Sequence, residues 1–204
     1  MSQSALQVAG STGLSVDPFS HTTFTIKRPF FTLFGRSFSV YSPDGQLVLF
    51  VKHKVFTFKD EWNIFRDESE QVPLIRVKAR QAIAMNIVTD VFDATTGNVV
   101  GTVRNKGLKS IIRDTWEVLG ATEAEVRGSF TEDSNALLRR FIPLLLGHWH
   151  MDIDGTPVAK LDQVFRFFTK EFTLEITAPG RVDPRFIVGC AMLALMKEIA
   201  REQQ

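Results

Sequence analysis

The sequence contains very little cysteine, the residue on which disulfide-bonded secreted proteins and thiol-dependent enzymes rely. Its 204 residues include one cysteine, Cys190, and one tyrosine, and the N-terminus has neither the basic start nor the apolar run of a signal peptide. A single cysteine excludes an internal disulfide and fits a reducing compartment, and a thiol in apolar surroundings is a poor nucleophile. We therefore expect Cys190 to act as a small hydrophobic residue and the protein to be cytoplasmic.

Catalytic motifs and an excess of one charge are also missing. The chain has no GxSxG elbow, no GxxxxGK[ST] loop and no GxGxxG fingerprint, and its 24 basic residues against 23 acidic ones leave a net charge of +1. No overall field attracts nucleic acid or an anionic membrane, so any such attraction must come from a local patch. We expect a non-enzymatic protein without a cofactor or a nucleic-acid partner.

The C-terminal segment is apolar on every side. All residues from Phe186 to Met196 are hydrophobic or glycine, Asp183 can cap a helix, and Pro184 suits its first position, so we predict a helix at about 184–201. A helix of this kind is buried or spans a membrane, and the apolar stretch is shorter than the roughly 18 to 20 residues that a span needs. Burial in a protein core is the favoured interpretation, and a membrane span is the alternative.

Similar hairpin units precede this helix. Each has an extended segment, a tight turn with Asp and Gly, and a second extended segment, and the turns fall at Asp44-Gly45, Asp93 to Gly97 and Asp154-Gly155. Such short segments at regular spacing indicate an antiparallel sheet that is closed or nearly closed. We expect the helix to run through the inside of a β-barrel, where the inward residues of every strand can contact it.

The remaining organisation is simple. Residues 1–20 are small and polar and are predicted to form a flexible tail, and residues 21–204 are predicted to form one domain. Asn135 to Phe141 is the one other segment with helical character.

The hairpin units carry a family resemblance. "YSPDGQLVLFVKHKVFTFKDEWNIF", "DVFDATTGNVVGTV" and the terminal helix resemble the LURP-one-related proteins, which are related to phospholipid scramblases and to the C-terminal domain of Tubby. The resemblance covers Thr23 to Arg201 and implies a mainly β fold, a closed antiparallel barrel of about twelve strands around a buried hydrophobic C-terminal helix. The Tubby-like relationship also implies phosphoinositide headgroups as a candidate ligand.

Two departures from the scramblases limit what the resemblance implies. Where scramblases carry an acidic calcium-binding segment, "FTKEFTLEITAPG" offers only Glu171 and Glu175, too few oxygen ligands for a hard cation. The proline-rich N-terminal region and the cysteine cluster of scramblases are also missing. Calcium-activated lipid scrambling is therefore not implied.

Basic residues recur on the predicted strands. Alternation places the basic residues of "LIRVKARQ" on one face of their strand and does the same for those of "FVKHKVF". The next hairpin unit adds two basic residues, and a second basic cluster lies near the first predicted strand. The residues concerned are Lys52, Lys54, Arg76, Lys78, Arg80, Arg104 and Lys106, with Lys27, Arg28 and Arg36 as the second cluster. Side by side they would form a positive band that attracts phosphates. Alternatively they only solubilise the outer face and protect strand edges, with nearby acidic residues neutralising them.

The segment "HWHMD" offers a weaker candidate site. Alternation puts His148, His150 and Asp152 on one face of a strand, where they could form an open transition-metal site. The same pattern is expected of a strand whose other face, formed by Trp149, Met151 and Ile153, contacts the core. The second interpretation is favoured.

The leading hypothesis is a non-enzymatic binding module, cytoplasmic or peripheral at the membrane, that docks on anionic phospholipid headgroups or a protein partner through a basic outer face. We expect a monomer or small homo-oligomer. Two alternatives stay open: a membrane-associated, scramblase-like protein that uses the terminal helix as a span, and an unrecognised hydrolase or metal-dependent enzyme.

Overall fold

The computed structural model describes residues 17–29, 36–53, 61–80, 86–106, 115–133 and 146–202. These residues contain a short 3₁₀ turn (Pro18–Ser20), twelve strands and one long helix. The strands are β1 (Thr23–Pro29), β2 (Arg36–Tyr41), β3 (Leu47–His53), β4 (Glu61–Phe65), β5 (Pro73–Ala79), β6 (Asn86–Asp93), β7 (Val99–Lys106), β8 (Thr115–Leu119), β9 (Val126–Glu132), β10 (His148–Ile153), β11 (Thr156–Val164) and β12 (Thr169–Ile176), and the helix is α1 (Pro184–Glu202).

The strands form a closed antiparallel barrel. Each strand pairs with the strands before and after it in the chain, and β1 pairs with β12 in the register Thr23 to Glu175 and Pro29 to Thr169. Each described strand therefore has a neighbour on both sides, although β3 and β4 are paired at one position, Phe50 with Phe65. This confirms the predicted fold class.

The two ends of the barrel differ in their connections. Successive strands run in opposite directions, so every connection from an even-numbered strand, together with the segment before α1, lies at one end, which we call the turn end. The predicted hairpin turns lie there, and Gly45, Gly97 and Gly155 adopt the positive φ that such turns require. Connections from odd-numbered strands lie at the opposite end, the loop end. Of these, the connection between β11 and β12, residues 165–168, is the one that the structure describes in full.

Helix α1 lies inside the barrel. Every residue from Phe186 to Met196 is buried. The helix packs against β12 and also against β5, β6 and β7, which lie across the ring from β12. A helix that contacts opposite walls of a closed sheet must lie within it. The predicted buried helix is thus confirmed, and within the described ranges no helix is long and apolar enough to cross a membrane.

The helix and the wall approach each other closely at two glycines. A Cβ atom at Gly101 on β7 would overlap the ring of Phe186, and one at Gly189 would lie 2.8 Å from Cγ1 of Val91. Cys190 belongs to the same packed interior, where burial raises the pKa of its thiol. It is a small hydrophobic residue rather than an exposed thiolate.

The start of α1 is held at the turn end. Asp183 accepts a hydrogen bond from the backbone N–H of Arg185 at 2.8 Å, as expected of a capping residue. The Arg185 guanidinium lies 3.7 Å from the Asp93 carboxylate and 4.2 Å from the centre of the Phe19 ring. Phe19 is itself buried against the core. The chain before β1 therefore contributes to the packing around the helix start.

Two predictions concern segments that are only partly described or not described. Of the predicted tail over residues 1–20, residues 17–20 are described, and they form the 3₁₀ turn that carries Phe19. Residues 1–16 and the helical segment predicted from Asn135 to Phe141 lie outside the described residues.

The Gly101–Phe186 contact can be tested by a double-mutant cycle. We expect Gly101→Ala to lower the free energy of unfolding by about 1–3 kcal/mol through overpacking, and Phe186→Ala to lower it by about 3–5 kcal/mol through the cavity it leaves. In the double variant the new methyl enters that cavity, so the combined loss should fall short of the sum by about 1 kcal/mol or more in urea denaturation. Additive effects would contradict the contact.

Asp93 should make stability depend on acid pH. Burial raises the pKa of this carboxyl, but hydrogen bonds from Thr95 and the charge of Arg185 outweigh it, and the net pKa lies below the ordinary value. A depressed pKa stabilises the fold above the unfolded-state pKa, about 3.9, and that stabilisation is lost as pH falls through the folded-state pKa. The stability advantage of the wild type over Asp93→Asn should therefore shrink below about pH 4. An advantage that stayed constant from neutral to acid pH in denaturation curves would refute this.

Candidate functional site

The largest group of predicted basic residues lies on the outer surface of neighbouring strands. We call this group the basic face and define it by five side chains, Lys52, Arg76, Lys78, Arg80 and Arg104. Their strand neighbours Val51, Val77 and Val103 are fully buried on the inner side, in keeping with the alternation predicted from the sequence. Lys54 lies outside the described residues, and Lys106 and Arg36 are placed as strand residues without a described side chain.

Carboxylates lie beside the first three members of the basic face. Lys52 Nζ lies 2.8 Å from Oε1 of Glu70. Glu61 on β4 is shared, with Lys78 Nζ at 3.1 Å and Arg76 Nη1 at 3.7 Å. The Arg76 guanidinium also lies 4.3 Å from the centre of the Phe92 ring, which places it against the barrel wall as a cation–π contact.

The other two arginines are bonded more tightly. Arg80 makes a two-pronged pair with Asp90, with N···O distances of 2.7 and 2.8 Å, and reaches Oε1 of Glu123 at 2.6 Å. The Asp90 hydrogen bond, reinforced by Glu123, outweighs the effect of burial and raises the pKa of Arg80 above its ordinary value. Arg104 donates to Oε2 of Glu117 at 2.6 and 2.9 Å.

The basic face is therefore matched in charge. Its five cations pair with Glu61, Glu70, Asp90, Glu117 and Glu123. Alternation predicted where the cations lie, whereas the carboxylates on β4, β6, β8 and two turns are brought beside them by strand pairing. A surface composed in this way presents little net field to an anionic ligand.

The histidine segment divides as alternation predicts. Trp149, Met151 and Ile153 are buried in the core. His148 Nδ1 lies 2.7 Å from Asp162 and His150 Nδ1 lies 2.8 Å from Asp133, so the two rings are engaged by different carboxylates. Asp152 is 3.8 Å from His150 Nε2. Within the described part of the chain, no group of three or more His, Cys, Asp or Glu side chains is arranged to hold a metal ion.

The second predicted cluster, near β1, has a different charge balance. Lys27 on β1 lies opposite Glu171 on β12, with Nζ 3.9 Å from Oε2, and Arg166 Nη2 reaches Oε1 of the same carboxylate at 3.1 Å. The Lys27 and Arg166 side chains are 45% and 54% exposed, whereas Glu171 is only 13% exposed. We call Lys27 and Arg166 the rim cations. They present more positive than negative charge to solvent because the carboxylate that they share is largely covered.

Two more cations lie on the same pair of strands. Arg28 is opposite Lys170 in the β1–β12 register, and Lys170 Nζ lies 3.3 Å from Oε1 of Glu198 near the end of α1. Lys170 is only 15% exposed and is paired with Glu198, so the exposed positive charge described at the β1–β12 corner of the loop end is that of the rim cations, which share the covered Glu171.

A feature that the sequence analysis missed lies beside the rim cations. The connection between β11 and β12, residues 165–168, reads "FRFF", and we call it the aromatic loop. Phe167 and Phe168 are 81% and 79% exposed, Phe165 is 47% exposed, and the Phe165 and Phe167 rings meet edge to face at 5.1 Å. The sequence does contain a signal for this loop, namely three phenylalanines within four residues. They fall where the chain reverses, and a strand that faces the core cannot continue through a reversal.

These features define a class: a twelve-stranded antiparallel barrel filled by its own C-terminal helix, with its candidate binding groups on the outside. Comparison with known families agrees, because the model of the LURP-one-related family matches residues 47–194. The chain belongs to the LURP-one-related family. The family and the barrel fit a non-enzymatic Tubby-like module. A search of curated proteins finds no match, and neither does a search of solved structures.

The charge matching of the basic face can be tested by removing one carboxylate. Glu61→Gln leaves Arg76 and Lys78 without the carboxylate they share, so the variant should elute from a phosphate cation-exchange matrix at clearly higher salt than the wild type. Glu175→Gln, which removes the partner of Lys160 on another part of the barrel, is the matched control because it changes the net charge equally. Equal shifts for both variants would show that Glu61 does not locally neutralise the basic face.

Proposed function

We propose that this protein is a non-enzymatic docking module that binds the headgroups of an anionic phospholipid surface through the loop end of its barrel. The observation that carries the proposal is the pair of rim cations, which share one covered carboxylate and are themselves about half exposed. Phosphates attract such exposed cations, and each basic residue close to an anionic leaflet contributes about 1 kcal/mol to binding.

The filled interior supports an external binding surface. Helix α1 occupies the space that a barrel of this size would otherwise enclose, it packs on opposite walls, and its apolar residues belong to the same core cluster as the inward residues of the strands. A ligand that required the interior would have to displace a packed helix. Contact from outside requires no such change, because the rim cations are already exposed.

The loop end is a better candidate than the basic face. On the basic face a headgroup phosphate would have to compete with carboxylates that lie 2.6 to 3.1 Å from Lys52, Lys78, Arg80 and Arg104. Breaking a well-formed pair offsets much of the gain from a new one. Glu61 on the basic face and Glu171 at the rim are each shared by two cations, but Glu61 is 41% exposed and Glu171 only 13%, so a phosphate that approaches the rim cations meets less exposed negative charge.

A protein partner is the second candidate, and the basic face is the surface that favours it. Its alternating cations and carboxylates could pair with a partner that carries both charges, and Arg76 stacked on Phe92 resembles the arginine and aromatic pairs common in protein interfaces. A scramblase-like role with α1 as a span is less well supported, since extracting α1 would empty the barrel of its core.

The headgroup proposal can be tested with vesicles containing phosphatidylserine or a phosphoinositide, using sedimentation at low and moderate salt. Lys27→Gln/Arg166→Gln should bind roughly thirtyfold more weakly than the wild type, the equivalent of about 2 kcal/mol for two cations. Its matched control is Arg127→Gln/Lys160→Gln, which removes two equally exposed cations elsewhere on the barrel and should change binding only slightly.

The same assay separates the competing sites. If Arg76→Gln/Lys78→Gln weakened binding as much as the rim variant or more, the basic face would be the docking site. If the wild type stayed in the supernatant with every vesicle, the lipid proposal would be wrong, and the protein-partner candidate would replace it. Thermal unfolding of each variant checks that the fold is retained.

A further inference from the structure

We propose that the aromatic loop inserts into the interfacial layer of the bilayer, with the rings of Phe165, Phe167 and Phe168 below the headgroups that the rim cations contact. The inference rests on the proposed function and deepens it by naming which part of the protein enters the membrane. It assigns an apolar contribution to binding that headgroup contacts alone do not supply.

The exposure of the rings is the first observation that favours insertion. Single apolar side chains are common on protein surfaces, but here three exposed phenylalanines fall within four residues, and the rings of Phe165 and Phe167 are in contact. Phe167 and Phe168 lie almost entirely in solvent, so burial in the protein core does not account for them. The other large apolar side chains exposed among the described residues, Val72, Val99 and Val126, lie at the turn end and are separated in the sequence.

The position of the rings relative to the charges also favours insertion. The rings belong to the connection beyond the last residue of β11, whereas Arg166 bonds back to Glu171 on the wall of the barrel and Lys27 lies on β1 beside it. Apolar groups at the tip with cations behind them match a bilayer interface, which has anionic headgroups above an apolar layer. Aromatic and basic residues are the usual components of membrane-surface anchors.

A lipid surface fits the aromatic loop and the rim cations better than a second copy of the chain does. A symmetric dimer through the aromatic loop would bring the rim cations of both copies close together, because a two-fold interface places the same patch on each side. Like charges at such a contact repel. An anionic membrane supplies the opposite charge as well as the apolar layer, so it is the occupant that both the rings and the rim favour.

Vesicle binding by Phe167→Ala/Phe168→Ala tests the inference. Both rings lie in solvent, so we expect the variant to fold normally and its affinity for anionic vesicles to fall about tenfold or more, with the remaining binding lost at moderate salt. The matched control, Val99→Ala/Val126→Ala, removes exposed apolar groups from the turn end and should bind as the wild type does. Unchanged affinity and salt dependence for the phenylalanine variant would overturn insertion while leaving headgroup docking intact.

A site-specific label gives an independent measurement. Cys190 is buried and burial raises the pKa of its thiol, so an environment-sensitive fluorophore should react selectively with a new cysteine at the surface. On Phe167→Cys the emission should shift to the blue when anionic vesicles are added, and on Gln46→Cys, at the turn end, it should not. Vesicle binding without a shift at position 167 would refute insertion.

If the proposed function itself is wrong, the result differs from a failure of insertion alone, because neither the wild type nor any variant then sediments with vesicles. If the wild type instead self-associated, and Phe167→Ala/Phe168→Ala abolished the self-association in analytical ultracentrifugation, the occupant of the aromatic loop would be a second copy and the lipid inference would be wrong.

Discussion

The packing of α1 inside the barrel is the interaction on which the rest of the structure depends. Strand side chains alone fill a barrel of about eight strands, and wider barrels enclose a cavity or a channel. Here twelve strands surround a helix that is apolar on all sides, and contacts such as Gly101 with Phe186 and Gly189 with Val91 leave little space between wall and helix. The barrel interior is therefore filled by packing that stabilises the fold, which leaves the outer surface and the two ends for binding.

The two ends of the helix have different roles: its start is anchored to the barrel, and its end lies beside the candidate binding site. At the turn end, the start of α1 is held by Asp183, by the Asp93–Arg185 pair and by Phe19. At the loop end, the last turns of α1 become polar, with Lys197 5.0 Å from the centre of the Trp116 ring and Glu198 paired with Lys170. Lys170 belongs to the same strand as Glu171, which the rim cations share. The helix thus supports the strand from which the candidate site is built.

More of the fold than of the candidate site could be predicted from the sequence. Alternation and turn glycines indicated the strands, and an all-apolar helix too short to span a membrane favoured a closed sheet around it. The same alternation placed Arg80 and Arg104 outside, but it carried no information about the neighbouring strand. Glu123, which Arg80 contacts, is 43 residues away in the sequence. The aromatic loop was missed for a related reason: a phenylalanine in "VFRFFTK" is buried or exposed according to where the chain reverses, and only the β11–β12 pairing shows that.

Charge matching on the basic face affects the orientation that the barrel would adopt on an anionic membrane. A positive band along the side of the barrel would hold the molecule lying against an anionic membrane in many orientations, because electrostatic attraction alone is not directional. A neutralised side and a positive, aromatic corner at one end instead favour a single orientation, with the loop end toward the membrane and the turn end away from it. In that orientation the basic face on the side of the barrel would not be covered by the membrane.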